Sequence, residues 1–134
     1  MEYLLDTNIC IYIIKKKPVI VLEKFKIFPL GSIGISVITL AELQYGIRKS
    51  SNPDKNLIAL NQFIIPLEII DFDYNATIEY GLIRAELEKK GTPIGPLDTL
   101  IGAHAKSLDL TLVTNNEKEF ERIAGLKIEN WTNK

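Results

Sequence analysis

The apolar positions along the chain follow two alternating periods, one typical of strands and the other typical of helices. Short apolar runs predict five strands, at residues 3–6, 33–37, 67–72, 111–114 and 127–130. Between these runs the apolar residues recur every three or four positions, which indicates helices at 9–14, 19–28, 40–47, 53–65, 76–87 and 97–108. Strands that alternate with helices predict an α/β fold in which helices cover both faces of a largely parallel sheet.

Polar side chains interrupt this pattern at four places. Asp6 ends the first apolar run, Glu42 stands among leucines in a helix, and Asp98 lies in the first turn of another helix. Asn115 and Asn116 close the fourth strand. Acids are rarely buried unless they are paired or bind a metal, and open parallel sheets present their ligand crevice at the carboxyl ends of the strands. We therefore expect the three acids to converge at that edge, where they would need a cation to coexist.

Each acid also has a structural explanation. Asp6 or Thr7 could cap the first helix, and Asp98 could favour its helix dipole. Glu42 could form a surface ion pair with Lys49 or Arg48. The three acids together favour a site, because an exposed cap does not need apolar neighbours on both sides.

The composition narrows the chemistry of such a site. The chain has one Cys and one His, Cys10 and His104, and these cannot supply the usual ligands of zinc. Both residues lie in apolar patterns and are predicted to be buried. Carboxylates without imidazole or thiolate ligands indicate Mg²⁺ and phosphate chemistry. A ribonuclease that attacks through the 2′-hydroxyl normally uses a general base and a general acid, often two histidines, so hydrolysis by water is favoured.

Length and charge set further bounds. The 134 residues are predicted to form a single domain, 1–134, and the 46% hydrophobic content disfavours disorder. A net charge of −1 argues against non-specific coating of duplex nucleic acid, but local basic groups remain. Arg84, Lys89 and Lys90 are candidate phosphate contacts, and solvated helix faces are the alternative. With no secretory signal and no segment long enough to span a membrane, a cytoplasmic protein is expected.

Four motifs in order carry a resemblance to a known family. They are Leu4-Leu5-Asp6-Thr7-Asn8, Ala41-Glu42-Leu43 with Gly46, Gly95-Pro96 with Asp98 and Ala103-His104, and Leu112-Val113-Thr114-Asn115-Asn116 with Glu119-Phe120. With this order and spacing the chain resembles the PIN-domain ribonucleases, and most closely the VapC toxins of bacterial type II toxin–antitoxin pairs. The resemblance extends to Ile128-Glu129-Asn130-Trp131.

The resemblance implies a PIN-like parallel sheet of about five strands between helices, and it assigns the site. Asp6, Glu42 and Asp98 take the positions of the family's first three acids, which hold Mg²⁺ or Mn²⁺. The fourth acid, often an aspartate, falls on Asn116, and Glu119 one turn later could replace it. Thr7, Asn8 and Thr114 become supporting neighbours of these ligands.

The same resemblance implies the activity and the partners. It indicates an endoribonuclease toxin that cleaves RNA, and the VapC toxins most similar to it cut tRNA, including the anticodon loop of initiator tRNA. A VapB-type antitoxin that blocks the site and a toxin homodimer are also implied. The segment 19–28, with apolar residues at helical spacing, could line a groove for a partner or belong to the core.

Three alternatives differ from this interpretation. A phosphoacceptor receiver domain would need an acidic pair after the first strand and a late lysine, which Asp6-Thr7 and Thr114-Asn115 do not supply. A phosphohydrolase with an aspartate nucleophile would need a second aspartate where Asn8 stands. A PIN-fold domain that binds an antitoxin with weakened catalysis stays open, because the fourth acid is replaced by Asn116.

Overall fold

Strands and helices alternate along residues 1–133, the part of the chain that the computed structural model describes. The strands are β1 Tyr3–Leu5, β2 Ile33–Ser36, β3 Glu68–Ile70, β4 Thr111–Val113 and β5 Ile128–Glu129. The helices are α1 Thr7–Lys15, α2 Val19–Lys26, α3 Val37–Lys49, α4 Pro53–Ile64, α5 Tyr74–Lys89, α6 Pro96–Ser107 and α7 Glu117–Phe120.

The five strands form one parallel sheet in the order β3-β2-β1-β4-β5. The predicted α/β class and the sheet of about five parallel strands are therefore confirmed. Because β1 lies at the centre of the sheet and pairs with β4 at Leu5 and Val113, the residues that follow these two strands are neighbours. Asp6 continues this pairing with a hydrogen bond from its N–H to the Val113 carbonyl, 3.0 Å long.

The strands are shorter than the apolar runs that predicted them. Asp6 was expected to be the last residue of the first strand, but its side chain caps α1 instead. The side chain of Ser36 likewise caps α3, so that Val37 begins the helix. Asp73 caps α5 in the same way, three residues after β3 ends at Ile70. A capping side chain satisfies a free N–H of the helix, and a capped helix follows each of these strands.

Two apolar clusters cover the two faces of the sheet, as parallel sheets require. Adjacent residues of β1 point to opposite faces, so that Leu4 belongs to one cluster and Leu5 to the other. The Leu5 cluster contains Cys10, which is buried as a free thiol, as predicted. Val21 of α2 is also fully buried there, and its packing places this part of the segment 19–28 in the core.

Helix α6 has more buried residues than any other helix among residues 1–133, and it carries Asp98 in its first turn. Gly102 allows α6 to pack closely against Ile123, because a Cβ at this position would stand 2.6 Å from Cδ1 of Ile123. His104 is fully buried, and its ring meets Phe72 edge-on with centroids 5.1 Å apart. Burial lowers the pKa of His104, and neither ring nitrogen has a partner among the described residues. The predicted core position of His104 is therefore confirmed.

Among residues 1–133, no helix is long and apolar enough to cross a membrane.

Candidate active site

Asp6 is held at the centre of the sheet's carboxyl edge. Its Oδ1 accepts a hydrogen bond from the N–H of Ile9, 2.9 Å long, and the Thr114 hydroxyl and the N–H of Asn8 lie nearby. The side chain is almost completely buried. Burial is the main cause that raises the pKa of Asp6 to about 6; the charge of Glu42 adds to this rise, and these three polar neighbours oppose it.

Glu42 reaches the same edge from the second turn of α3. Its Oε1 accepts a hydrogen bond from the Thr7 hydroxyl at 2.7 Å, and Thr7 is the residue directly after Asp6. Glu42 makes no ion pair with Arg48 or Lys49 in the described part of the chain. The alternative of a surface ion pair is therefore not found, and Thr7 links the second acid to the first.

Asp98 stands in the first turn of α6, half-buried and close to the other acids. Its pKa is raised to about 6, first by burial and then by the charges of Glu119, Asp6 and Glu42. The Glu119 carboxylate is the charge with the largest effect on Asp98 and favours its protonated form. The charges of three other carboxylates thus act on the pKa of Asp98, so the acids that lie far apart in the sequence form one cluster.

Asn116 and Glu119, which follow β4, also belong to this cluster. The N–H of Asn116 donates to the Thr114 hydroxyl at 2.9 Å, and its Nδ2 donates to Glu119 Oε2 at 3.1 Å. Because α7 begins directly after Asn116, the side chain of Glu119 turns back toward Asp98. Hydrogen bonds therefore connect Thr114, Asn116 and Glu119, and the charge of Glu119 reaches Asp98.

The candidate phosphate contacts, Arg84, Lys89 and Lys90, lie outside the acidic cluster. Arg84 lines a cavity of about 210 Å³ together with Pro96 and Thr99 at the start of α6, but its guanidinium is paired with Glu88 at 3.3 Å. Lys90 is paired with a glutamate of its own helix, and Lys89 is exposed at the end of α5. The structure thus places Arg84 beside the beginning of α6, in a cavity that none of the clustered acids lines, and leaves Lys89 and Lys90 at the end of α5.

One contact at the rim was missed by sequence reasoning. Nδ2 of Asn115 donates to the hydroxyl of Tyr12 at 2.7 Å, which ties α1 to the turn after β4. These residues are 103 positions apart. Helical spacing marked α1 as a helix, but no local pattern indicates a partner so distant in sequence.

The cluster suits a hard divalent cation. Its donors are carboxylate oxygens, and the raised pKa values of Asp6 and Asp98 show that their charges are not balanced within the chain. Among the described residues, no three Asp, Glu, His or Cys side chains already stand in the arrangement of a metal-ligand group. Mg²⁺ does not require one, because it binds through one or two carboxylates and keeps several waters.

A parallel sheet with clustered acids at its carboxyl edge fits the class of metal-dependent nucleases, and the family comparison agrees. The family model described as PIN domain matches residues 3–126, and the chain belongs to this family. Nucleases of the PIN domain are metal-dependent.

Comparison with individual proteins narrows the family to the VapC ribonucleases. The chain is 50% identical over 131 residues to the tRNA(fMet)-specific endonuclease VapC of Salmonella typhimurium, and the match covers 98% of each chain. It is 46% identical over 132 residues to the enzyme of the same name from Shigella flexneri, covering 98% of this chain and 99% of that one. The predicted VapC membership is confirmed, and the chain is a nuclease.

Solved structures agree with the sequence comparison. The structure of VapBC2 from Rickettsia felis, bound to a DNA fragment from its promoter, superposes with a TM-score of 0.92 at 48% identity. The superposition covers 98% of this chain and 99% of that one.

Proposed function

We propose that residues 1–134 act as a single PIN domain, a Mg²⁺-dependent endoribonuclease that is the toxin of a type II toxin–antitoxin pair. The observation that carries this proposal is the position of Asp98, whose carboxyl group is surrounded by the charges of Asp6, Glu42 and Glu119. The similarity to endonucleases named for tRNA(fMet) supports tRNA as the substrate. Such a substrate places the activity in the cytoplasm.

The carboxylates have distinct parts in this activity. Asp6 and Asp98 would hold the cation together with Glu42, and the N–H of Ile9 fixes the orientation of Asp6. Bound there, a divalent cation supplies a Lewis acid for the scissile phosphate and lowers the pKa of the attacking water. Thr7 keeps Glu42 in the crevice through a hydrogen bond of 2.7 Å.

The histidine content supports hydrolysis by water over attack by the 2′-hydroxyl. His104 is fully buried against Phe72, where its ring cannot reach a bound RNA, and the chain has no other histidine. A pair of imidazoles for general acid–base catalysis is therefore missing. Hydrolysis by water leaves a 5′-phosphate and a 3′-hydroxyl.

We expect purified protein to cut tRNA in Mg²⁺ and to leave 5′-phosphate and 3′-hydroxyl ends, and EDTA should stop the reaction. End-specific ligation and mass spectrometry of the fragments measure this directly, with Asp98→Asn as the control for a contaminating nuclease. Ends carrying a 2′,3′-cyclic phosphate would contradict the mechanism. Failure to cut RNA in Mg²⁺ or Mn²⁺ would favour the alternative of an antitoxin-binding domain with weakened catalysis.

The substrate proposal favours a single-stranded loop over a duplex. Loops present unstacked bases and a flexible backbone, which suit a small crevice at the edge of a sheet. Arg84 and, farther out, Lys89 and Lys90 would contact phosphates beyond the scissile bond. Arg84 would have to exchange its pairing with Glu88 for a phosphate, and surface ion pairs are weak enough for such an exchange.

This protein has an apolar groove beside the acids that suits a segment of the proposed antitoxin. An apolar groove of about 290 Å³ lies between α1, α3 and α4, and Glu42 stands on its edge. Its apolar lining is formed by Ile11, Ile14, Leu43, Ile47 and Leu60. A VapB-type segment that fills this groove would reach Glu42 and could block access to the crevice.

A toxin homodimer would bury an apolar stripe on α5. Tyr74, Ile78 and Leu82 follow one another at every fourth position, with 77%, 46% and 63% of their surfaces exposed. We expect Leu82→Glu to convert the homodimer to a monomer in light scattering, because a charge cannot be buried there without a partner. Leu30→Glu is the matched control, since Leu30 is 82% exposed and lies outside the stripe. A dimer that persists in Leu82→Glu would exclude this face.

A further inference from the structure

Helix α3 continues outward from the acidic cluster along a strip of three side chains. Tyr45 and Lys49 follow Glu42 by three and seven positions, which places them about 60° and about 20° from it around the helix axis. Leu43 and Ile47, which line the apolar groove, lie on the other side of Glu42 at about 100° and about 140°. The strip of Tyr45 and Lys49 is thus continuous with the acids and separate from the centre of the groove.

Tyr45 and Lys49 are exposed, and within residues 1–133 they contact each other through a cation–π interaction but form no hydrogen bond or ion pair. Tyr45 is 67% exposed, although tyrosine buries much apolar area when it packs, and its hydroxyl has no hydrogen-bond partner among the described residues. Nζ of Lys49 stands 5.8 Å from the centroid of the Tyr45 ring. No ion pair involves Lys49 or the adjacent Arg48 within residues 1–133, whereas Arg84, Lys90 and Lys127 each have an acidic partner.

An exposed aromatic face beside free cations matches the chemistry of single-stranded RNA. Bases stack on aromatic side chains whatever their sequence, and lysine or arginine neutralises the phosphates between them. We propose that Tyr45 stacks a base of the substrate RNA next to the scissile phosphate and that Lys49 contacts the neighbouring phosphate. The proposal rests on the proposed ribonuclease function and adds the surface that guides the RNA into the crevice.

Binding of two probes tests the two contacts separately. One probe is a fluorescent single-stranded RNA of about 12 nucleotides, and the other is an abasic ribose-phosphate chain of the same length. Asp98→Asn serves as the background for every variant, so that the RNA survives the anisotropy measurement. We expect Tyr45→Ala to weaken binding of the RNA by roughly 5- to 150-fold, the range for loss of one stacked base, and to leave binding of the abasic chain unchanged.

The remaining variants separate stacking from charge. Tyr45→Phe should bind RNA as tightly as the background, because stacking needs the ring and not the hydroxyl. Lys49→Gln should weaken binding of both probes and reduce the slope of log affinity against log salt by about one. Lys127→Gln is the charge-matched control, since Lys127 precedes β5 at the opposite edge of the sheet and is paired with Asp109.

Three outcomes would overturn the proposal. Tyr45→Ala could leave RNA binding unchanged, or it could weaken binding of both probes equally, in which case no base is stacked. It could also weaken only the complex with the antitoxin, and the strip would then belong to a protein partner. Failure of the ribonuclease function itself is distinguishable, because wild-type protein would then leave RNA uncut in Mg²⁺ while Tyr45-dependent binding persisted.

Discussion

Replacing Asp98 with Asn should abolish RNA cleavage and leave the folded protein as stable as wild type or more stable without metal. Burial and the charges of Glu119, Asp6 and Glu42 all disfavour the ionised form of Asp98. Removing that charge relieves repulsion in the folded state while removing a ligand from the cation. Activity and stability should therefore change in opposite directions, which is typical of a residue kept for its function.

The stability difference should appear in thermal melts and depend on metal and pH. Mg²⁺ or Mn²⁺ should raise the melting temperature of wild type, because a ligand that binds only the folded state stabilises it, and should raise that of Asp98→Asn less. In EDTA, wild type should lose stability as the pH rises from about 4 to about 7. The folded-state pKa values of Asp6 and Asp98 are about 6 against an ordinary 3.8, so the folded state binds more protons in this interval.

The size of this pH effect follows from the more buried acid. A rise in pKa from 3.8 to about 6 means that ionisation of Asp6 lowers the free energy of unfolding by about 3 kcal/mol. Asp98→Asn should show a smaller pH dependence, because its own contribution is gone. Unfolding of Asp98→Asn, or full cleavage without that carboxylate, would be incompatible with the proposed site.

Glu119→Gln should cut the cleavage rate by about tenfold or more, or raise the Mg²⁺ concentration that the reaction requires. This is the size seen when a group that supports a metal ligand is removed. Glu119 touches both Asp98 and Asn116, so its carboxylate stands where the family's fourth acid would act. Rates measured at limiting and at saturating Mg²⁺ separate a loss of metal affinity from a loss at the chemical step.

Asn116→Asp is the informative counterpart. It restores the acid that the family usually has, and it places a carboxylate against Glu119 Oε2, which now accepts a hydrogen bond from Asn116 Nδ2 at 3.1 Å. We expect this variant to keep its activity or bind Mg²⁺ more tightly, and to melt at a lower temperature in EDTA because the new charge repels Glu119.

Glu121→Gln controls for the loss of one negative charge near the same helix, because Glu121 is exposed just after α7. It should leave the rate and the Mg²⁺ requirement unchanged. If Glu119→Gln behaves like Glu121→Gln, Glu119 acts only on the helix dipole, and the site has three acids.

Local patterns in the sequence predicted most of the fold. The period-two and period-3.6 spacing indicated the five strands and most of the helices, and the apolar runs indicated a sheet covered on both faces. The ends of the strands were the least accurate part. Asp6 and Ser36 continue apolar runs in the sequence, but their side chains accept hydrogen bonds from the following turn and begin helices instead.

The candidate acids could be selected before the structure because their placement conflicts with their surroundings. Asp6 and Asp98 are charged residues in apolar segments, and such a conflict is visible in a single sequence. Glu42 was harder to separate from a surface ion pair, since Arg48 and Lys49 are near it in sequence. The hydrogen bond from Thr7, 35 positions away, distinguishes the two possibilities, and sequence spacing cannot reveal it.

The sequence by itself therefore determined the class of fold, the order of the strands and helices along the chain, and the acids that its motifs share with PIN-domain nucleases. These depend on periodicity and residue type, which are local properties. Only the tertiary structure decided how those acids interact: that the charge of Glu119 acts on Asp98, that Asn116 bonds both Glu119 and Thr114, and that Tyr45 is left exposed. Charge coupling and burial depend on distances between segments far apart in the chain, and those distances are set when the sheet brings its carboxyl ends together.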